Sequence, residues 1–215
     1  MSNREEILRI LEERYHDRAC GLHFGTPFEL LVSTILSAQC TDVRVNQVTS
    51  KLYAVHNTPQ DFASMSQEEL ENWIHSCGFY HNKAKNIIET SRILLEKYGG
   101  EVPGDLEALT ALPGVGRKTA NVVLSNAMGI PAIAVDTHVQ RVSNRLGLAH
   151  SDNVLHTEQQ LMEVIPREKW SAAHHWLIWH GREICSSQRP KCGICPLQAL
   201  CPHYLAAVSP QEGAV

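Results

Sequence analysis

Two sets of residues in this 215-residue chain have the types and spacing to do chemistry. The first is the run Cys185-x6-Cys192-x2-Cys195-x5-Cys201, four soft ligands on one short segment. Thiols this crowded, with one C-x2-C pair, make a metal site and not a disulfide framework. Zinc and a 4Fe-4S cluster both accept four thiolates, and the chemistry leaves both open, although the paired C-x2-C knuckles common in zinc sites are missing. The other three cysteines, Cys20, Cys40 and Cys77, are scattered and are expected in the core.

The second set is Lys118 within Leu112-Pro-Gly-Val-Gly-Arg-Lys-Thr-Ala120, followed eighteen positions later by Asp136. A P-loop needs Gly directly before its Lys-Ser/Thr, and Arg117 stands there; a dinucleotide fingerprint needs a third Gly where Thr119 stands. What fits is helix, tight turn, helix. Pro113 ends the first helix, while Gly114 and Gly116 permit backbone angles and close approach that a β-carbon would forbid. The N–H groups of Gly114, Val115, Gly116 and Arg117 would then lie at the positive end of the second helix dipole, a site for a phosphate. Lys118 is open to three readings: a phosphate cation, a solvated lysine, or a nucleophile. A helix N-terminus disfavours its charged form, and partial burial would add to that, favouring the neutral amine. Asp136 reads equally as a helix cap and as a carboxylate that faces Lys118 across a cleft and accepts its proton.

The elements that must position these groups are helical. Apolar residues recur at helical spacing along nearly the whole chain, starting with Ile7, Leu8, Ile10 and Leu11. The pattern predicts helices near 41–55, 82–97, 106–110, 117–128, 137–146, 154–164 and 171–184. Capping boxes at Thr26-Pro-Phe-Glu29 and Ser66-Gln-Glu-Glu69 mark two further starts. Ile130–Val135 is an extended connector, and the fold class is all-α. A formal net charge of −4 excludes a protein that coats nucleic acid through bulk charge, so any polyanion site is local. Arg189 and Lys191, in the acid-free loop between the first two cysteines, are suited to such a site. The charged, helix-periodic start and the lack of an apolar run of roughly 20 residues predict a cytoplasmic protein with no membrane segment.

"LPGVGRKTANVVL" followed by "AVDTHVQRVSNRL" closely resembles the endonuclease III family of DNA glycosylases, and the resemblance runs from about Pro27 to Cys201. It implies a helix-hairpin-helix motif at 106–128 and two helical lobes around a DNA-binding cleft. One lobe is a helical barrel domain, 21–130; the other is an iron-sulfur cluster domain, 1–20 plus 131–215. It chooses 4Fe-4S over zinc for the four cysteines. It makes Lys118 the nucleophile that attacks C1′ of a damaged nucleotide and forms a Schiff base, with Asp136 as charge partner and proton shuttle. Adenine-specific relatives lack a lysine at this position, so Lys118 points to the bifunctional branch. Gln39 would enter the gap left by the flipped nucleotide, and Phe79, where the family pattern has Leu, would be the second, apolar wedge. His138 is expected to line the site or contact the backbone; Lys83 and Lys85 are equally solvated or phosphate-holding. The implied protein is a bacterial, monomeric glycosylase/AP lyase. It removes oxidised pyrimidines from double-stranded DNA, cleaves abasic sites by β-elimination, and uses no divalent metal. The alternatives are a non-catalytic DNA-binding module with a thiolate metal site, which has no need of the Lys118–Asp136 pair, and a monofunctional glycosylase for another lesion.

Overall fold

A computed structural model describes residues 2–208. These residues form twelve α-helices joined by loops and short 3-10 turns, with no strand among them. The chain divides into two compact units, one from Cys20 to Ala132 and one made of the residues up to Ala19 together with those from Ile133 onward.

The unit from Cys20 to Ala132 is built around α2 (Pro27–Leu36), in which every residue from Phe28 to Leu36 is buried. A helix apolar on all faces is stable only when other elements surround it. The following helices α3 (Asp42–Leu52), α4 (Pro59–Ser64), α5 (Gln67–Ile74), α6 (Tyr80–Tyr98), α7 (Leu106–Thr110) and α8 (Arg117–Ala127) supply that surround. Helix α6 packs against α4 and α5, and α8 packs against both α2 and its hairpin partner α7. Short helices in this unit start on strong caps: Thr26, Thr41, Thr58, Ser66 and Asp105 each accept a backbone N–H two or three positions into the helix.

The reciprocal capping box lies elsewhere than the sequence pattern suggests. It is complete at Ser2 with Glu5 and at Thr58 with Asp61. At Thr26 only half of it forms, because the Glu29 carboxylate turns away to accept the Gly25 N–H. Helix α4 carries no signal in the hydrophobic pattern; its six residues bury only Phe62.

The other unit contains α1 (Asn3–Tyr15), α9 (Thr137–Arg145), α10 (Val154–Val164), α11 (Trp170–Glu183) and α12 (Pro202–Val208). Helix α11 lies against α1 and α9, and its His180 meets the fully buried Tyr15, Nδ1 to phenol oxygen at 3.2 Å. Ile130–Val135 is extended and non-helical, and the boundary between units falls inside it, after Ala132.

Candidate active site and metal centre

The hairpin turn is held from below by α6. Thr90 Oγ1 donates to the Pro113 carbonyl at 3.0 Å, and Leu112 and Val115 are buried on either side of the turn. Gly114 has φ +74°, and a β-carbon there would lie 2.8 Å from the Asn86 amide nitrogen, so both conformation and space require glycine. Gly116 differs: it is extended at φ −88°, and a β-carbon would meet nothing. The close approach expected at both glycines is therefore internal at Gly114, and at Gly116 it leaves room only for something outside the chain. Helix α8 begins after Gly116 with no side-chain cap, so its first-turn N–H groups point to the surface beside the exposed Arg117 and Lys118. The Val115 N–H, expected to join them, is instead spent inside the turn, donating to the Leu112 carbonyl at 3.1 Å.

Lys118 occupies the second position of α8, opposite the face that buries Ala120, Val123 and Leu124, and its side chain is exposed. The partial burial expected for it is absent from the protein alone. Asp136 caps α9: its Oδ1 accepts from the His138 N–H at 2.9 Å and the Val139 N–H at 2.8 Å. Both bonds fall on one oxygen, and Oδ2 takes no hydrogen bond among the described residues. The cap thus occupies one oxygen of the carboxylate. Lys118 belongs to one unit and Asp136 to the other.

His138 is half-buried, and burial lowers its pKa; Asp136 opposes that shift, while Arg141 and Arg182 add to it. Its Nδ1 lies 3.1 Å from Arg141 Nη2 and close to Gly181. Gly181 gives this pair its room, since a β-carbon there would stand 3.1 Å from both His138 and Arg141.

The four cysteines Cys185, Cys192, Cys195 and Cys201 line one hollow, together with Arg145, His180 and His203. None is in a disulfide, and no three His, Cys, Asp or Glu side chains among the described residues converge tightly enough to grip a single ion. Four thiols lining one hollow are a donor set that fits a four-thiolate group. The surroundings are polar in a directed way. Arg145 Nη1 lies 3.4 Å from Cys185 Sγ and donates to the Ser186 carbonyl at 2.7 Å, while Nη2 reaches Ser187. Arg141 Nε donates to the Cys185 carbonyl at 3.0 Å, and His180 Nε2 lies 3.6 Å from Cys195 Sγ. Sequence reasoning missed these supports. The available signal was the pair of arginines four apart on α9, which places both on one helical face. Arg189 and Lys191 are exposed on the loop that this network anchors.

Gln39 and Phe79 are also exposed, each in a loop next to a helix end. Gln39 lies beyond the end of α2, so it faces no burial cost, and its φ is +54°. Phe79 is 65% exposed with φ +48°, at the start of α6. Lys85 is solvated, but Lys83 is neither solvated nor available to a phosphate: it is 5% exposed and bonded entirely within the protein.

A family model described as HhH-GPD superfamily base excision DNA repair protein matches residues 32–167. A second, described as the iron-sulfur binding domain of endonuclease III, matches residues 185–201, from the first cysteine of the tetrad to the last. Endonuclease III of Bacillus subtilis (strain 168) is 54% identical over 183 residues, covering 85% of this chain and 84% of that one. Endonuclease III of Escherichia coli (strain K12) is 51% identical over 200 residues, covering 93% and 95%. The solved structure of a trapped endonuclease III–DNA covalent intermediate, an estranged-adenine complex, matches with TM-score 0.90 at 49% identity, covering 96% of this chain and 99% of that one.

Proposed function

This chain belongs to the endonuclease III family of base-excision DNA repair proteins, and on that premise we propose that Lys118 is its nucleophile and Asp136 the partner that handles the proton. The protein is a DNA glycosylase with AP lyase activity; it acts on damaged duplex DNA and carries a 4Fe-4S cluster.

The neutral amine of Lys118 attacks C1′ of the extruded nucleotide, and the bond from C1′ to the base breaks as the base leaves with its electron pair. Ionised Asp136 stabilises the sugar cation as the base departs, then takes the proton that the amine gives up. It returns that proton to O4′ as the C1′–O4′ bond opens, which gives the Schiff base. Loss of a C2′ proton then expels the 3′ phosphate, cutting the strand by β-elimination. The observation that carries this reading is the exposed lysine at an uncapped helix start, together with a cap carboxylate that keeps one oxygen unengaged.

Around this pair, the turn at Gly114, Gly116 and Arg117 grips a phosphate, His138 lines the site, and Gln39 and Phe79 fill the gap left by the flipped nucleotide. Oxidised pyrimidines are the lesion class. Residues 21–130 act as the barrel domain and 1–20 plus 131–215 as the cluster domain of a monomer. Cys185, Cys192, Cys195 and Cys201 would hold the cluster, which supplies four thiolate links that pin the Arg189–Lys191 loop against phosphates; no catalytic step passes through it. Cytoplasmic location, with nucleoid association during repair, belongs to the same reading.

Borohydride trapping on a duplex containing an oxidised pyrimidine tests the proposal. The parent forms a covalent adduct; Lys118→Ala forms none, and Asp136→Asn forms it far more slowly. An adduct formed equally well by Lys118→Ala would overturn it. Purified protein should be brown and contain iron, whereas colourless protein containing zinc alone would refute the cluster assignment.

A further inference from the structure

Among the described residues only two non-glycine positions have positive φ, and they are Gln39 and Phe79. Backbone in this region is unfavourable for side chains with a β-carbon, and it persists only where the surroundings hold it. Both residues are exposed, so their own side chains do not hold it.

Backbone bonds close each turn locally, Cys40 N–H to the Ser37 carbonyl and Lys83 N–H to that of Phe79, and one ammonium ties the two together. Lys83 Nζ donates to the carbonyls of Leu36 and Ala38, each at 2.8 Å, and to that of Cys77 at 2.9 Å. Ala38 directly precedes Gln39, and Cys77 is two residues before Phe79 with only Gly78, φ +68°, between them. The three donors of one buried lysine are thereby matched to three carbonyls drawn from two loops about forty positions apart in the chain. None of the acceptors is a carboxylate. Burial pushes the Cys77 thiol up to about 11, so at neutral pH that neighbour gives no counter-charge either. A buried cation without an ion-pair partner is a costly way to stabilise a fold, and an apolar side chain in its place would leave three carbonyls without a donor.

We infer that Lys83 is a positioning residue: its ammonium joins the two loops and presets Gln39 and Phe79 in the conformations in which they enter DNA. This rests on the reading above that those two residues fill the gap. Preset loops avoid an ordering cost on insertion, so the lysine acts on extrusion of the nucleotide and leaves the chemistry at C1′ to other groups.

The test compares strand cleavage on a duplex containing one abasic site with cleavage of the same abasic oligonucleotide as a single strand, where no gap needs filling. The ratio of duplex to single-strand rates should fall about tenfold in Lys83→Met, and 2-aminopurine opposite the site should lose its fluorescence rise on binding. Replacing Lys83 in a Gln39→Ala/Phe79→Ala background should then have little further effect. An unchanged ratio, or an effect fully additive with the double substitution, overturns the inference. If Lys83→Met fails to fold, Lys83→Arg gives the same readout, because its planar fork keeps the charge but cannot match three converging carbonyls. If Gln39→Ala and Phe79→Ala themselves leave the ratio unchanged, it is the gap-filling reading that fails; if they lower it and the lysine variants do not, only the role of Lys83 fails.

Discussion

On the proposed reading Asp136 carries two jobs on one side chain, and substitutions separate them. Asn caps helices about as well as Asp, so Asp136→Asn should cost well under about 1 kcal/mol of stability, whereas Asp136→Ala loses the cap and about 1 kcal/mol. Both should lower the single-turnover excision rate by a factor of roughly 10² to 10⁴, the usual range for a lost acid–base group. Urea melts alongside single-turnover kinetics check this: if Asp136→Asn keeps the rate, the residue is a cap and nothing more. A second residue-scale prediction concerns acid. His175 is buried on α11, and burial, then Arg182, lowers its pKa from 6.5 to about 4. The folded state therefore binds this proton less readily than the unfolded chain, so stability is full above pH 6.5 and is lost as pH falls from there towards 4. The contribution lost between pH 7 and pH 5 is about 2 kcal/mol. His175→Gln should flatten the fall in urea midpoint by that amount, and an unchanged slope would show that His175 does not set it.

The hairpin contains two glycines with different reasons to exist, and each reason has its own assay. Gly114 combines φ +74° with a β-carbon site 2.8 Å from Asn86, so Gly114→Ala should destabilise the protein by roughly 1–3 kcal/mol. Gly116 has an ordinary φ and open space, so Gly116→Ala should leave the urea midpoint unchanged while weakening binding to damaged and undamaged duplex alike. Equal binding by parent and Gly116→Ala would remove the phosphate from this turn. The helix itself was plain in the sequence, because Pro113 and the apolar spacing after Arg117 are local signals, and α7 and α8 start where those signals put them. Which glycine is structural was not legible, since that depends on Asn86 of α6, a contact that no local pattern encodes.

At the scale of the whole chain, what the sequence concealed has one physical form: polar side chains satisfied by carbonyls far away along the backbone. Lys83 read as solvated or phosphate-holding because its acceptors lie 47, 45 and 6 positions away. The roles of Arg141 and Arg145 leave no local mark because the cysteine segment they hold is some 40 positions distant. The shared segment of the cysteines, the helix start at Lys118 and the cap at Asp136 were legible because their signal is spacing and local chain breaks. The same distinction sorts the 19 Lys and Arg of a chain with net charge −4. Those bonded to carbonyls are spent on structure, and on the proposed reading binding a polyanion falls to exposed cations at defined places: Lys118 at the turn, Arg189 and Lys191 on the cysteine loop. Each phosphate contact adds about 0.9 to the slope of log affinity against log salt. Arg189→Ala/Lys191→Ala should therefore reduce that slope by about 2 and weaken binding to lesion-bearing and undamaged duplex to a similar extent, because phosphate contacts carry no base identity. The iron content and visible absorption should be unchanged, since neither side chain is a thiolate ligand. A titration series from low to high salt on both duplexes decides it: if the slope stays at the parent value, these two cations face solvent in the complex, and the cysteine loop serves the fold alone.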